Sequence, residues 1–214
     1  MWNRKDVKAQ AKVIMKRNYW KMFVISLLTS LLTKGVATTQ IEFDDLNLDF
    51  NVQALLATVI SIVGLLAVLY GIFIANPIKV GKASYYLQNH DENPPLSALF
   101  SAFKSNYLNT VGTMLVMDIK LFLWTLLLIV PGIVKAYEYS MIPYILAEDP
   151  STSLNDAFAK SKELTTGQKM DLFVLDLSFI GWWILGTILC GIGNLFVDPY
   201  YQAASAEVYV ALKG

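Results

Sequence analysis

Apolar and polar residues fall along this chain in alternating blocks. Apolar runs of roughly 18 to 25 residues, the length a helix needs to cross about 30 Å of hydrocarbon, are separated by short polar stretches that hold most of the lysines. Residues 3–18 carry two stripes at helical spacing. Lys5, Lys8, Lys12 and Lys16 form one, and Val7, Ala11, Ile14 and Met15 form the other. Trp2, Tyr19 and Trp20 flank them, residue types favoured at a lipid interface. The pattern predicts an amphipathic helix lying on a membrane; the plainer alternative is a solvated basic helix.

The first expected span is 20–37. Its apolar heart, 22–32, has signal-peptide length, and Gly35-Val36-Ala37 resembles a cleavage site, but the basic region before it is long for such a peptide. Residues 38–51 hold Glu42, Asp44, Asp45 and Asp49 and no Lys or Arg. Asp45, Asn47 and Asp49 alternate as in a calcium loop, yet the central Gly and distal Glu of an EF-hand are missing, so a solvated acidic loop is expected.

The second span, 54–78, is the most apolar stretch. Gly64, Ala67 and Gly71 share a helical face suited to close packing. Asn76-Pro77 marks a kink or terminus, and Lys79 and Lys82 follow. A turn at 91–95 leads into a short amphipathic helix, 96–107, with Leu99, Phe100 and Phe103 on one side and Lys104 on another. The third span is 110–130, Pro131-Gly132 gives a tight reversal, and 133–147 returns as a short fourth span. A polar amphipathic helix, 151–169, precedes the fifth span, 172–189. Gly191-Ile192-Gly193-Asn194 is a turn and lacks the full glycine pattern and preceding strand of a dinucleotide loop. The sixth span, 195–212, is weakened by Gln202, Ser205 and Glu207, with Pro199 tolerated in its first turn. Were it not to cross, the C-terminus would lie outside.

The fold class expected is all-α: a polytopic transmembrane helical bundle of about six spans, with amphipathic helices on the cytoplasmic face between hairpins. A weak repeat supports three helix-plus-hairpin units within a single membrane domain, 1–90, 91–148 and 149–214. Pro95-Leu96-Ser97-Ala98-Leu99-x-x-Ala102-Phe103 resembles Pro150-Ser151-Thr152-Ser153-Leu154-x-x-Ala157-Phe158. Such repeats occur in transporters, and duplication without transport explains them equally well. Seven Lys and Arg fall between Arg4 and Lys21, and Lys79, Lys82, Lys104, Lys160, Lys162, Lys169 and Lys213 fall on the same side, against Lys34 in the opposite loops. The positive-inside rule then places both termini in the cytoplasm.

Composition agrees. The 214 residues are 55 % hydrophobic and 16 % charged, with mean hydropathy +0.47, against about 25 % charge in soluble domains. The net charge is zero, so nothing draws the chain to nucleic acid. Cys190 and His90 are each the single residue of their type, so no disulfide, metal site or cofactor is implied.

Asp118, Lys120, Lys135, Glu138, Asp176 and Glu207 fall inside expected spans. Six unpaired charges at about 2.5–3.5 kcal/mol each would cost about 15–20 kcal/mol, more than the net stability of a typical fold. They must pair, face water or sit near a span's end. Lys120 and Glu138 differ in depth by about 7 Å at 1.5 Å per residue, which makes them the first pair to expect. Lys135 can snorkel outward, and Asp176, near the inner end, can reach a polar neighbour. The charges read either as a polar pathway or as ion pairs that fix helix register. Tyr137, Tyr139, Tyr144, Tyr200, Tyr201 and Tyr209 either line a cavity or pack between helices.

From Pro131-Gly132-Ile133 onward a longer pattern emerges. Lys135-Ala136-Tyr137-x-Tyr139-Ser140-Met141, Pro143-Tyr144-Ile145-Leu146-Ala147, Asp149-Pro150, Ala157, Ser161-Lys162, Gly167-x-Lys169, Phe173, Leu177-Ser178-Phe179-Ile180-Gly181-Trp182, Gly191-Ile192-Gly193 and Pro199-Tyr200 follow in order. This resembles a family of uncharacterised integral membrane proteins of Gram-positive bacteria, domain-of-unknown-function family 975. The family is distantly similar to the membrane domain that accompanies some glycerophosphodiester phosphodiesterases. The resemblance implies a multi-pass bacterial plasma-membrane protein and brings no substrate or catalytic residue.

The function expected is non-enzymatic: a scaffold, accessory or lipid-interacting protein of the bilayer, with a membrane-protein partner or a second copy as possible company. The alternative is a small-solute or ion transporter or channel that uses the intramembrane charges. A lipid-cleaving enzyme fits least, because one His, one Cys and scattered carboxylates make no catalytic cluster.

Overall fold

The computed structural model describes residues 2–33, 49–188 and 193–214. The acidic residues Glu42, Asp44 and Asp45, Lys34, the Gly35-Val36-Ala37 stretch, Cys190 and Gly191-Ile192 lie outside the described residues. Those described are almost wholly helical, and no strand occurs among them.

Helix α1, Arg4–Thr33, is two helices joined at a kink, where Asn18 leaves helical geometry (φ −131°, ψ 27°). The kink separates the basic segment, 4–17, from the apolar one, 19–33, where the sequence changes character. Helix α2, Phe50–Tyr70, runs through a π-helical stretch, Gly71–Ala75, into α3, Asn76–Asp91, as one 42-residue helix. The second apolar helix therefore continues well past Pro77, and Lys79 and Lys82 lie within it. Pro77 has no N–H to offer the Phe73 carbonyl four residues back. The Tyr107 hydroxyl donates to that carbonyl at 2.7 Å instead, which gives the freed backbone group a partner.

The 96–103 motif forms a 3₁₀ helix, Leu96–Phe103. Helix α4, Tyr107–Leu127, and α5, Ile129–Tyr139, form the expected hairpin. Its reversal lies at Leu128 (φ −159°, ψ 139°), three residues before the expected Pro131-Gly132. Pro131 sits instead in the first turn of α5, where its missing N–H would have had no partner anyway. Gly132 is required for close approach: a Cβ there would stand 2.7 Å from Thr125 Oγ1 and 2.9 Å from Thr125 Cα.

The return strand of helix is interrupted, with α6, Ile142–Glu148, starting after a break at Ser140–Met141. Helix α7, Leu154–Thr165, is capped by Ser153, whose hydroxyl accepts from the Asp156 N–H at 3.2 Å. Helices α8, Lys169–Ile188, and α9, Asn194–Lys213, complete the bundle.

Among the described residues three helices are long and apolar enough to cross a membrane: Phe50–Asp91, Tyr107–Leu127 and Lys169–Ile188. Of the other three expected segments, 20–37 is described only as far as Thr33, α5 and α6 are separated by the break, and α9 carries Asp198 and Glu207. Helix α2 has no buried residue, and Leu126 to Val130 are 62–72 % exposed, although all are apolar. A helix that is apolar all round and unpacked needs an apolar surrounding.

The core lies at the other end of the molecule. Tyr85, Tyr86, Leu99, Met114, Ile142, Leu146 and Phe179 are fully enclosed there. Each polar amphipathic stretch docks onto a helix of this core. The 3₁₀ helix crosses α3 at Gly81, α7 lies against α5 and α6, and 4–17 packs along α9. Val7, Ala11 and Ile14 thus bury their stripe in protein, at 5 %, 0 % and 3 % exposure, and not in lipid as the sequence suggested.

A Cβ at Gly81 would lie 1.8 Å from the Leu99 carbonyl oxygen, whereas one at Gly64 meets nothing within 4 Å. Gly81→Ala is expected to destabilise the purified protein by about 1–3 kcal/mol, the usual cost of overpacking. Gly64→Ala should leave its thermal midpoint unchanged or slightly higher, as measured by thermal unfolding in one detergent.

Candidate binding cavity

The charged residues flagged by the sequence are distributed over several small networks. Glu138, 5 % exposed, is the most heavily engaged. Lys135 Nζ donates to its Oε1 at 2.6 Å and Lys169 Nζ to its Oε2 at 2.6 Å. Its main-chain carbonyl, left without a helical partner at the α5–α6 break, accepts from the Ser161 hydroxyl at 2.6 Å. One residue so ties α5, α7 and α8 together. Lys120 does not pair with Glu138; it lies 3.8 Å above the Phe158 ring as a cation–π contact. Matching depth along two helices says nothing about the direction each side chain takes, and the nearer cations on α5 and α8 occupy both carboxylate oxygens.

Asp118 accepts from Asn76 Nδ2 at 2.7 Å, and the other end of that amide accepts from Lys79 at 2.9 Å. Asn76, 2 % exposed, is therefore a neutral bridge between a lysine and a carboxylate. Glu207 meets Nδ1 of His90, in the last turn of α3, at 2.6 Å. In the basic segment, Lys5, Lys12 and Lys16 are exposed. Lys8 donates to Ser178 Oγ at 2.7 Å and lies 4.3 Å from the Phe179 ring centre. Burial, with Arg4 and Lys12 nearby, pushes its ammonium's pKa down. At the polar end of the bundle, the Lys213 ammonium holds the Glu148 carboxyl below the usual carboxylate range, opposed by burial and helped by the Tyr209 hydroxyl.

Between α1, α3, the α5–α6 break, α8 and α9 lies a cavity of about 350 Å³. That volume falls within the range of about 300–1,000 Å³ of small-ligand sites. Tyr137, Tyr144 and Tyr201 form much of its wall, with Asp176 on α8 among them and Lys79 and Lys82 on α3 opposite. The Tyr137 hydroxyl donates to Asp176 Oδ2 at 2.8 Å, and the Tyr201 hydroxyl faces the same carboxylate. Lys82 pairs with Asp198 at 2.8 Å, and Gln202 donates to the second oxygen of Asp198 at 3.1 Å. The remaining tyrosines pack: Tyr139 against Phe158, Tyr200 against Phe179 and Tyr209 against Tyr144.

Sequence reasoning brought Asp176 and three of the tyrosines to this place without connecting them, and it missed Lys82, Asp198 and Gln202. The signal was present: Asp198-Pro199 repeats the polar-Pro step of Asn76-Pro77 near the start of an inward helix. No group of three or more His, Cys, Asp or Glu able to hold a metal ion occurs among the described residues.

Residues 126–214 match a family model described as Protein of unknown function (DUF975). The match covers α5 to α9, which carry Glu138, Lys169, Asp176, Asp198 and Tyr201, and extends over less than half of the chain. No curated protein and no solved structure matches the chain.

Replacing both Lys135 and Lys169 by Met strands a buried carboxylate, which costs about 3–5 kcal/mol. Lys120→Met loses only a cation–π contact of about 0.5–2 kcal/mol. Thermal unfolding of the two variants should differ in that order. The Glu148 carboxyl has a lower pKa folded than unfolded, so its contribution is present at neutral pH and fades as pH falls through the folded value. Glu148→Gln should therefore narrow the loss of thermal stability between neutral and acidic pH.

Proposed function

We propose that this chain is a non-enzymatic, multi-pass protein of the bacterial plasma membrane that interacts with lipid, as a scaffold or accessory component. In this reading six helical segments cross, both termini face the cytoplasm, and three helix-plus-hairpin units form one domain. The observation that carries it is the engagement of the buried and half-buried charges. Glu138 is held by two lysines, Asp198 by Lys82 and Glu207 by His90, while Lys120 rests on an aromatic ring. Charges locked to fixed partners brace helices; a relay for a moving solute needs partners that exchange. The exposed apolar surface of α2, α4, α5 and α8 supplies the lipid contact, and the basic segment 4–17 adds attraction to anionic headgroups.

A transporter or channel is the second reading, favoured by the cavity beside Asp176. Reconstitution of the purified protein into liposomes separates the two. Stopped-flow and electrical recordings are expected to show no ion or small-solute flux above protein-free liposomes. Flux that disappears in Glu138→Gln or Lys120→Met, with each variant still folded, would overturn the scaffold reading and establish transport.

A further inference from the structure

Asp176 is the one charged group of the cavity wall whose partners there are hydroxyls alone. It lies about two helical turns into α8, held by Tyr137 and faced by Tyr201, and forms no ion pair among the described residues. Around it the other charges are matched: Lys82 by Asp198, and Lys79 to Asp118 through the Asn76 amide. A half-buried carboxylate whose partners are hydroxyls can be stabilised further by a cation, and this one faces the cavity. The wall beside it includes three tyrosines, a residue type whose ring attracts cations.

We propose that the cavity binds an organic ammonium group. Asp176 is its counter-ion, Tyr137, Tyr144 and Tyr201 form its walls, and Lys79 at the edge receives the acidic group of a ligand that carries one. The ammonium is that of an aminated phospholipid headgroup or of a free small amine. Lys79 distinguishes the sources, because only the headgroup brings a phosphate with its ammonium. Lys79 is exposed, in no ion pair among the described residues, and bound to a neutral amide oxygen, so it can turn toward a phosphate at small cost. The inference rests on the lipid-interacting reading only for the headgroup source.

The test uses the full-length purified protein. Choline and ethanolamine are titrated by calorimetry against sodium chloride at equal ionic strength. In parallel, the protein is placed in phosphatidylglycerol nanodiscs doped with phosphatidylethanolamine, and the retained lipid is measured by mass spectrometry. Wild type is expected to bind an amine or to retain phosphatidylethanolamine. Asp176→Asn, which keeps an acceptor for Tyr137, should weaken that binding at least tenfold. Lys79→Met should reduce lipid retention and leave choline binding unchanged.

A photo-crosslinkable phosphatidylethanolamine keeps the test decisive if Asp176→Asn does not fold, since label on wild-type α5, α8 and α9 peptides of the cavity is required. Label confined to α2, binding no tighter than sodium, or an Asp176→Asn protein that binds as wild type does would each overturn the proposal. Flux with intact amine binding would overturn the scaffold role and leave the site standing. Absence of both would remove the site and leave the scaffold role.

Discussion

Glu138 holds the second half of this protein together, and it does so with both its side chain and its backbone. The carboxylate spans Lys135 on its own helix and Lys169 at the start of α8, and the carbonyl takes the Ser161 hydroxyl of α7. Such a residue is stable only while every partner remains, because a buried carboxylate without cations costs more than the pair contributes. The arrangement therefore specifies position more than it adds stability. It fixes where α7 lies across the α5–α6 break, and through Lys169 it sets the entry of α8. The cavity, bounded by that break and by α8, inherits its shape from the same residue.

Interrupted helices recur wherever the interior is polar. Pro77 frees the Phe73 carbonyl for Tyr107, the break before Pro143 frees the Glu138 carbonyl for Ser161, and the kink at Asn18 is closed by its amide meeting Asn89 at 2.5 Å. In hydrocarbon an unsatisfied backbone group costs several kcal/mol, so irregular backbone persists only where protein groups answer it. At Phe73 and at Glu138 a hydroxyl is placed to do so, whereas at Asn18 the contact is between two side-chain amides. The interruptions cluster near the core end of the bundle, while the uninterrupted stretches, α2 and the ends of α4 and α8, carry the exposed apolar surface.

Much of this was legible in the sequence, to the extent that periodicity and length determine it. The helices, the boundary between basic and apolar segments and the α4–α5 hairpin follow from runs of apolar residues and their punctuation. The reversal at Leu128 was misplaced because proline and glycine read as a turn, whereas Pro131 serves a helix's first turn and Gly132 an approach to Thr125. The partners of the buried charges were not legible. Depth can be counted along a helix, but the direction of Lys120 toward Phe158 depends on how α4 and α7 are rotated about their axes. The cavity was half legible: its tyrosines and Asp176 stood out as polar groups in apolar runs, while Lys82 looked like a residue following a span's end and Asp198 did not stand out.

The basic segment shows why an amphipathic pattern alone does not choose between lipid and protein. Val7, Ala11 and Ile14 present the same apolar stripe to either, and burial stabilises at about 25 cal/mol per Å² in both cases. Shape decides between them. Ala11 is small enough for α9 to approach until its side chain is wholly covered, and the Tyr200 hydroxyl reaches the Lys8 carbonyl at 3.4 Å. Lipid chains supply area without such fixed partners. Helix α2 is the opposite case over most of its length, with exposed Leu55, Ile62, Leu65 and Leu66 facing outward, while at its C-terminal end the Tyr70 hydroxyl donates to the Leu32 carbonyl of α1 at 2.7 Å. One chain thus uses apolar residues in two ways: at fixed depth and rotation where polar groups must meet, and without rotational demand where hydrocarbon is the only requirement.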